Sequence, residues 1–181
     1  MTGVFIHIPK TGGLSIREAL GITEYCNYAR LQREYSGLIT FCHWFLPELQ
    51  ERGLAPKDAF TFAFCRNPYD RAVSMWAFNN RENGLDLSFP EFCRGLNDWR
   101  WGWRIRRPQA EWLDGVDLDF LGSFENLEQD FGILCDMLEV ERRPLPVVNA
   151  TERGPWQDYY DAETQGIIRA YYAQDFERLG Y

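Results

Sequence analysis

Short apolar runs alternate with segments of helical periodicity along this chain. Val4–Ile8, Leu38–Cys42, Ala59–Cys65 and Phe120–Phe124 are rich in β-branched or aromatic residues, and each predicts a short strand. The third of these runs is apolar on both faces, as a central strand of a parallel sheet requires. Leu145–Val148 predicts one further short strand.

Helical periodicity follows most of these runs. The predicted helices are Leu14–Leu20, Phe45–Arg52, a helix from Pro68 to about Asn80, Ser88–Leu96, Gln109–Leu113, Leu127–Leu138 and Asp161–Tyr172. Strands that alternate with helices predict an α/β fold, a P-loop-like three-layer sandwich whose central, largely parallel sheet is flanked by helices. The length of 181 residues is that of one ordinary domain, so we predict a single domain over residues 1–181.

The loop after the first predicted strand is suited to an anion. Pro9 ends the strand, while Gly12 and Gly13 permit a sharp turn that leaves backbone N–H groups uncovered before a helix begins. Lys10 adds a positive charge and is one of two lysines in a chain with 17 arginines. The lysine precedes the glycines, unlike the order in G-x-x-x-x-G-K-[ST]. Because many strand-to-helix turns use glycine only to turn, the loop alone leaves both interpretations open.

A second turn of this kind follows the third predicted strand. Arg66 comes directly after the strand, Asn67 can cap the next helix, and Pro68 suits its first position. We interpret Asp70 and Arg71 as helix-surface or local ion-pair residues outside the site. Ligands of such folds gather beyond the carboxyl ends of the strands. That rule would bring Lys10, His43, Arg66 and the loop 149–153 to one edge of the sheet.

Composition narrows the range of functions. Apolar residues make up 45% and aromatic residues 16% of the chain, which predicts a folded core rather than disorder. The net charge of −8 argues against general nucleic-acid binding and disfavours a long polyanionic acceptor. We predict a cytoplasmic protein without a transmembrane segment, since no apolar run approaches about 18 residues and no charged-then-apolar leader is seen. The cysteines lack C-x-x-C spacing and predict reduced thiols rather than disulfides or a zinc site; they are Cys26, Cys42, Cys65, Cys93 and Cys135.

Taken as a pair, the two turns resemble a known family. FIHIPKTGGLSI, followed later by FAFCRNPYDRAVSMW, resembles the sulfotransferases that use 3′-phosphoadenosine 5′-phosphosulfate (PAPS). The similarity is greatest to the carbohydrate O-sulfotransferase branch, which includes the heparan sulfate 2-O type. It continues through FLGSFENLEQDF and YYAQDFERLGY, and so covers most of the chain. The resemblance implies transfer of a sulfuryl group from PAPS to an acceptor hydroxyl, with adenosine 3′,5′-bisphosphate as product and no metal.

The resemblance also assigns the donor-binding residues. The positions that match the 5′-phosphosulfate loop are Lys10, Thr11, Gly12, Gly13, Leu14 and Ser15. Lys10 would contact the oxygen that bridges phosphate and sulfate. Leu14 stands where the family often has a hydroxyl residue, so one side-chain contact to phosphate is expected to be missing.

At the other end of the donor, Arg66 and Ser74 match the residues that bind the 3′-phosphate. Thr151 and Arg153 lie where the family often has a further loop over the nucleotide.

The two histidines have different predicted roles. His7 lies within an apolar strand, which predicts a hydrogen-bonded core histidine. His43 lies at a strand-to-helix junction, and a histidine shortly before the second motif resembles the base proposed for the 2-O-type enzymes. We predict His43 as the general base, because imidazole titrates near neutrality and can accept a hydroxyl proton.

The segment NDWRWGWRIRRP is the candidate acceptor site. Its tryptophan faces can stack on sugar or aromatic rings, and its arginines can hold carboxylate or sulfate. The predicted acceptor residues are Trp99, Trp101, Trp103 and Arg104. The same alternation also describes an edge strand or packed loop with a basic, solvated side, and the sequence does not choose between the two. A sugar hydroxyl is the preferred acceptor; a phenol, a lipid-linked sugar or another small alcohol stays open.

Two other functions stay open at this stage. The first is a P-loop-like kinase, which predicts magnesium dependence and a carboxylate at the end of a strand; the order of lysine and glycines disfavours it. The second is a noncatalytic nucleotide- or glycan-binding protein that kept the loops. Oligomeric state cannot be derived from this sequence.

Overall fold

A computed structural model describes residues 2–22, 37–41, 43–53, 55–97, 106–148, 151 and 153–181. The chain forms two compact units. The first comprises Met1–Cys65 and Trp112–Asn149, and the second comprises Arg66–Glu111 and Ala150–Tyr181. That residues 1–181 form a single domain stays a prediction.

The first unit contains a sheet of four parallel strands. These are β1 (Gly3–Ile6), β2 (Leu38–Thr40), β3 (Phe60–Cys65) and β4 (Phe120–Ser123), in the order β2-β1-β3-β4. Val4 lies opposite Ile39 on one side and Thr61 on the other. Helices flank this sheet, which confirms the predicted α/β fold with a central parallel sheet. Parallel strands are buried on both faces, and this explains why β1 is fully buried.

The helices lie close to their predicted positions. In chain order they are α1 (Gly13–Ala19), α2 (Leu46–Glu51), α3 (Pro68–Asn83), α4 (Phe89–Arg94), α5 (Gln109–Trp112), α6 (Leu127–Leu138), α7 (Ala162–Tyr171) and α8 (Ala173–Leu179). Short 3-10 helices cover Phe124–Asn126 and Trp156–Tyr159. Asn67 accepts hydrogen bonds from the first turn of α3, and Asp161 does the same for α7, as their sequence positions predict.

Each unit has its own core. In the first unit, Phe5 and Phe62 stack with their ring centroids 5.2 Å apart. The side chains packed with them come from β3, α1 and α6 and include Phe64, Ile16, Ala19, Phe131, Leu134 and Leu138. In the second unit, α3, α4, α7 and α8 surround a core that includes Val73, Phe92, Ile168, Tyr172 and Phe176.

Two predicted elements differ from the structure. Leu145–Val148 forms no strand; Leu145 packs against the core of the first unit, so its apolar character serves side-chain packing and not a backbone ladder. The last predicted helix ends at Tyr171, and the chain then forms a further helix, α8. The end of the predicted helix therefore agrees within one residue, whereas α8 was not predicted.

Three of the five cysteines lie in the described part of the chain. Cys65, Cys93 and Cys135 are buried thiols that form no disulfide, as predicted, while Cys26 and Cys42 lie outside the described residues. Within the described ranges, no helix combines the length and the apolar character that crossing a membrane requires.

Close packing between β3 and β4 generates a stability prediction. A Cβ atom at Gly122 would lie 2.4 Å from Cε1 of the fully buried Phe64 ring, so Gly122→Ala forces this ring to move. We expect Gly122→Ala to lower the free energy of unfolding by about 1–3 kcal/mol, measured by urea denaturation. Gly166→Ala is the matched control because it meets nothing within 4 Å inside α7, and it should raise stability by about 0.5–1 kcal/mol. A Gly122→Ala protein as stable as the wild type would contradict the packing.

Candidate functional site

The loop that follows β1 has a strained backbone. Lys10 has a φ of 70° and Gly12 a φ of 83°, both in the left-handed region. That region costs a non-glycine residue about 1–2 kcal/mol, so Lys10 is held there by its surroundings. Part of this support is local, since the buried Thr11 hydroxyl donates a 2.9 Å hydrogen bond to the carbonyl of Ile8. Such strain is characteristic of functional turns.

The two glycines of this loop are required by close packing. A Cβ atom at Gly13 would lie 2.1 Å from Cδ2 of His7, and one at Gly12 would lie 3.1 Å from Cδ2 of Phe124. Gly12 also has the positive φ that favours glycine. The sequence predicted these glycines as turn formers, and the structure adds that neighbouring rings occupy the space of their missing side chains.

His7 is the ring that fills this space. It is 5% exposed and stacks on Phe5 at a centroid distance of 5.4 Å, which confirms the prediction of a core histidine. The pKa of His7 is lowered to about 3, mainly by burial and to a smaller extent by the nearby His43, Arg17 and Lys10. Its Nδ1 has no hydrogen-bond partner in the described part of the chain, so the predicted hydrogen bonding is absent at that atom. His7 is therefore neutral at physiological pH.

His43 lies beside His7, with their ring centroids 4.8 Å apart. Nδ1 of His43 is 3.0 Å from the backbone oxygen of His7. A carbonyl oxygen only accepts hydrogen bonds, so Nδ1 carries the proton and Nε2 of neutral His43 keeps its lone pair. This tautomer is the one that a general base acting through Nε2 requires.

The surroundings of His43 include an aromatic residue that sequence reasoning missed. The His43 ring meets the edge of the fully buried Trp112 at a centroid distance of 6.2 Å, and Trp112 stacks on Phe45 at 4.5 Å. Because Trp112 is 69 residues from His43, no local signal points to this contact.

In the second unit, Arg66 forms part of a partly buried ion-pair network. Its Nε and Nη2 donate to the same carboxylate oxygen of Asp70, at 2.9 and 2.7 Å. The other oxygen of Asp70 accepts a hydrogen bond of 2.5 Å from Nη2 of Arg153. The local ion pair predicted for Asp70 is present, and Asp70 in addition bridges two predicted donor-binding arginines.

Arg71 differs from its prediction. It is fully buried and its guanidinium lies 5.5 Å from the centroid of the Tyr172 ring, so it belongs to the core of the second unit and not to the helix surface. The prediction that Arg71 lies on the helix surface used helical spacing alone. It did not include the packing of α7 and α8 against α3.

The backbone of Arg66 is fixed by residues that the sequence did not indicate. Its N–H donates to Oε1 of Gln109 at 2.9 Å, and Nε2 of Gln109 donates back to the Arg66 carbonyl at 2.7 Å. Gln109 is held in turn by the fully buried Asp175, which accepts from the backbone N–H groups of Gln109 and Ala110 at 2.9 and 2.8 Å. Reciprocal bonds of this kind hold the turn at Arg66 in one conformation.

A cavity in the second unit lies along one face of α3. Asp70, Ser74, Ala77 and Arg81 share that face by helical spacing, and Ser74 is 7% exposed. The cavity measures about 480 Å³ and is lined by Trp76, Ala77, Asn80, Arg81, Thr151, Arg153 and Tyr159. It therefore combines an aromatic wall with two guanidinium groups, which suits a ligand with a flat ring and negative charge.

The predicted site residues thus fall into two described groups. Lys10 and His43 lie in the first unit, where both lower the pKa of His7. The second unit contains Arg66, Ser74, Thr151 and Arg153. The predicted acceptor residues Trp99, Trp101, Trp103 and Arg104 lie outside the described residues. In the ranges that are described, no three His, Cys, Asp or Glu side chains are grouped as metal ligands.

The buried His7 predicts how stability depends on pH. The unfolded chain binds a proton at its ordinary pKa of 6.5, whereas the folded protein does not until about pH 3. Between these values the unfolded state binds more protons, so stability falls as the pH falls. From pH 7.5 to 5.5 we expect His7 to contribute a loss of about 1.4 kcal/mol in the free energy of unfolding. Urea denaturation of His7→Asn should lack this contribution; equal pH slopes in the two proteins would contradict it.

Comparison with known proteins agrees with the fold and identifies a family. The model of the sulfotransferase family matches residues 4–181. A crystal structure of a sulfotransferase from Alicyclobacillus acidocaldarius is similar in fold, with a TM-score of 0.60 and 19% identity, covering 99% of this chain and 94% of that chain. No curated protein sequence matches this chain significantly. Because the family match extends over nearly the whole length, the chain belongs to the sulfotransferase family.

Proposed function

We propose that this protein transfers the sulfuryl group of PAPS to an acceptor hydroxyl. The observation that carries the proposal is the pair Arg66 and Arg153, which already holds a carboxylate: the resemblance assigns Arg66 to the 3′-phosphate of the donor and Arg153 to a loop over the nucleotide. The 3′-phosphate distinguishes PAPS from ATP. Guanidinium groups bind phosphate through paired N–H donors, so these arginines suit that group.

Lys10 acts on the other end of the donor in this proposal. During transfer, the acceptor oxygen bonds to sulfur, the bond from sulfur to the bridging phosphate oxygen breaks, and charge develops on the departing phosphate. The Lys10 ammonium and the N–H groups of Thr11 to Leu14 stabilise that charge. The left-handed backbone at Lys10 and Gly12 fixes these groups before the reaction, which is the condition under which electrostatic stabilisation is most effective.

His43 accepts the proton of the acceptor hydroxyl. Its Nδ1–H donates to the His7 carbonyl, and Nε2 is the atom left to bind the proton. His7 cannot replace it, because burial lowers the pKa of His7 to about 3 and a base that weak does not take a hydroxyl proton.

The acceptor in this proposal is a sugar hydroxyl, supported by the resemblance to the carbohydrate O-sulfotransferases. Trp99, Trp101, Trp103 and Arg104 are the proposed acceptor contacts, since indole faces stack on sugar rings and a guanidinium binds acidic groups of a sugar. We also propose that Ser74 and Thr151 hydrogen-bond the nucleotide through their hydroxyl groups. The reaction takes place in the cytoplasm in this scheme.

Nucleotide binding tests the donor assignment. Isothermal titration calorimetry with adenosine 3′,5′-bisphosphate, AMP and ATP should show at least about tenfold tighter binding of the bisphosphate, because only it places a phosphate on the arginines. Arg66→Ala should remove most of this preference. Arg94→Ala is a suitable control because Arg94 forms an exposed ion pair with Glu163 in the same unit. Preferred binding of ATP, with a requirement for magnesium, would instead indicate a kinase.

Sulfate transfer from labelled PAPS to a panel of sugars tests the catalytic residues. His43→Ala and Lys10→Ala should each lower kcat by about 10²–10⁴-fold. The first removes the base, and the second removes the positive charge that stabilises the departing phosphate. His43→Asn keeps a donor for the His7 carbonyl but lacks Nε2, so it should be as impaired as His43→Ala. Lys57→Ala, which changes the only other lysine, should retain wild-type turnover. Full activity in His43→Asn would contradict the assignment of His43 as the general base.

A further inference from the structure

Asp70 occupies an unusual position between two arginines. One carboxylate oxygen accepts two hydrogen bonds from Arg66, and the other accepts one from Arg153, which lies 83 residues away in the chain. The side chains of Arg66, Asp70 and Arg153 are 7%, 15% and 14% exposed. The other ion pairs between described residues join one arginine to one carboxylate, and every member of those pairs is at least 31% exposed.

Helix α3 does not need Asp70 as its cap. Asn67 already accepts hydrogen bonds from the N–H groups of Tyr69 and Asp70, at 2.9 and 3.5 Å. A carboxylate in the first turn contributes through the helix dipole, but an exposed one would do so without the cost of burial. The largely enclosed position of Asp70, 15% exposed, therefore relates to the two arginines and not to the helix.

The charges in this network indicate what it can bind. Two guanidinium groups and one carboxylate leave a net charge of about +1, whereas a terminal phosphate carries about −1.5 to −2 at neutral pH. A phosphate that enters must take hydrogen-bond donors from Asp70 and then lies beside its negative charge. Asp70 thus opposes the binding of the anion that the arginines would attract.

We propose that Asp70 is an internal anion that holds Arg66 and Arg153 and competes with the 3′-phosphate of the donor for them. This inference rests on the proposed function, because it takes the donor to be PAPS. Asp70 keeps the two guanidinium groups in place when no nucleotide is bound. It also limits how tightly the product adenosine 3′,5′-bisphosphate is retained, because the carboxylate regains the arginines as the product leaves.

The competition should act only on ligands that carry a 3′-phosphate. Removal of the charge by Asp70→Asn preserves the size of the side chain and one oxygen acceptor. We expect this variant to bind adenosine 3′,5′-bisphosphate about tenfold more tightly than the wild type does, since the repulsion between carboxylate and phosphate is lost. The affinity for AMP should change by less than about twofold, because AMP has no group at the arginines.

Titration calorimetry of wild type, Asp70→Asn and Glu163→Gln with both nucleotides tests this proposal. Glu163 is the matched control because it also lies in the first turn of a helix and also accepts two hydrogen bonds from an arginine, Arg94, but at the surface. Its substitution should leave both affinities unchanged. Unchanged or weaker binding of the bisphosphate by Asp70→Asn, or an equal gain for AMP, would overturn the proposal.

The outcomes separate this proposal from the proposed function. If the wild type does not prefer adenosine 3′,5′-bisphosphate over AMP, the assignment of PAPS fails and the role of Asp70 fails with it. If the wild type has this preference and Asp70→Asn does not bind more tightly, only the role of Asp70 fails. Circular dichroism checks the fold of each variant, and Asp70→Ser replaces Asp70→Asn if the latter does not fold. Loss of the fold in both variants would show that the carboxylate is structural and would also overturn the proposal.

Discussion

β1 pairs in parallel with β2 on one side and with β3 on the other, and this pairing is the constraint on which the first unit depends. The strands run in one direction, so their carboxyl ends meet at the same edge of the sheet. The Lys10 loop follows β1, His43 follows β2 by three residues, and Arg66 comes directly after Cys65, the last residue of β3. β1 and β3 are largely apolar and buried, and polar residues follow where these strands end.

The two units manage positive charge in different ways. In the first, His7 lies near the cations Lys10 and Arg17, and burial keeps it neutral, so it fills space beside Gly13 without adding a further charge. In the second, the largely buried guanidinium groups of Arg66 and Arg153 are compensated by Asp70. Neutralisation by burial and neutralisation by pairing are the two solutions that a low-dielectric environment allows.

Rigidity is built into both groups of residues. The loop after β1 is held in a left-handed conformation by the Thr11 hydroxyl and by the rings of His7 and Phe124. The turn at Arg66 is held by the reciprocal bonds of Gln109, which is fixed in turn by Asp175. Fixed donors cost little reorganisation when a ligand binds or charge develops, which is the property that a transferase site requires.

The sequence by itself determined the four strands of the sheet, most of the helices, the parallel α/β class and the family, because these follow from local periodicity, from caps such as Asn67 and from the two motifs. It also placed His7 in the core and identified the loop around Lys10. Only the tertiary structure decided that Asp70 joins Arg66 to Arg153, that Arg71 is buried, and that Gln109, Trp112 and Asp175 support the candidate residues. The physical reason is separation along the chain: Asp70 and Arg153 are 83 residues apart, and Gln109 and Asp175 are 66 apart. Periodicity reports which face of an element is apolar, but the partner that meets a polar side chain is chosen by how distant segments pack together.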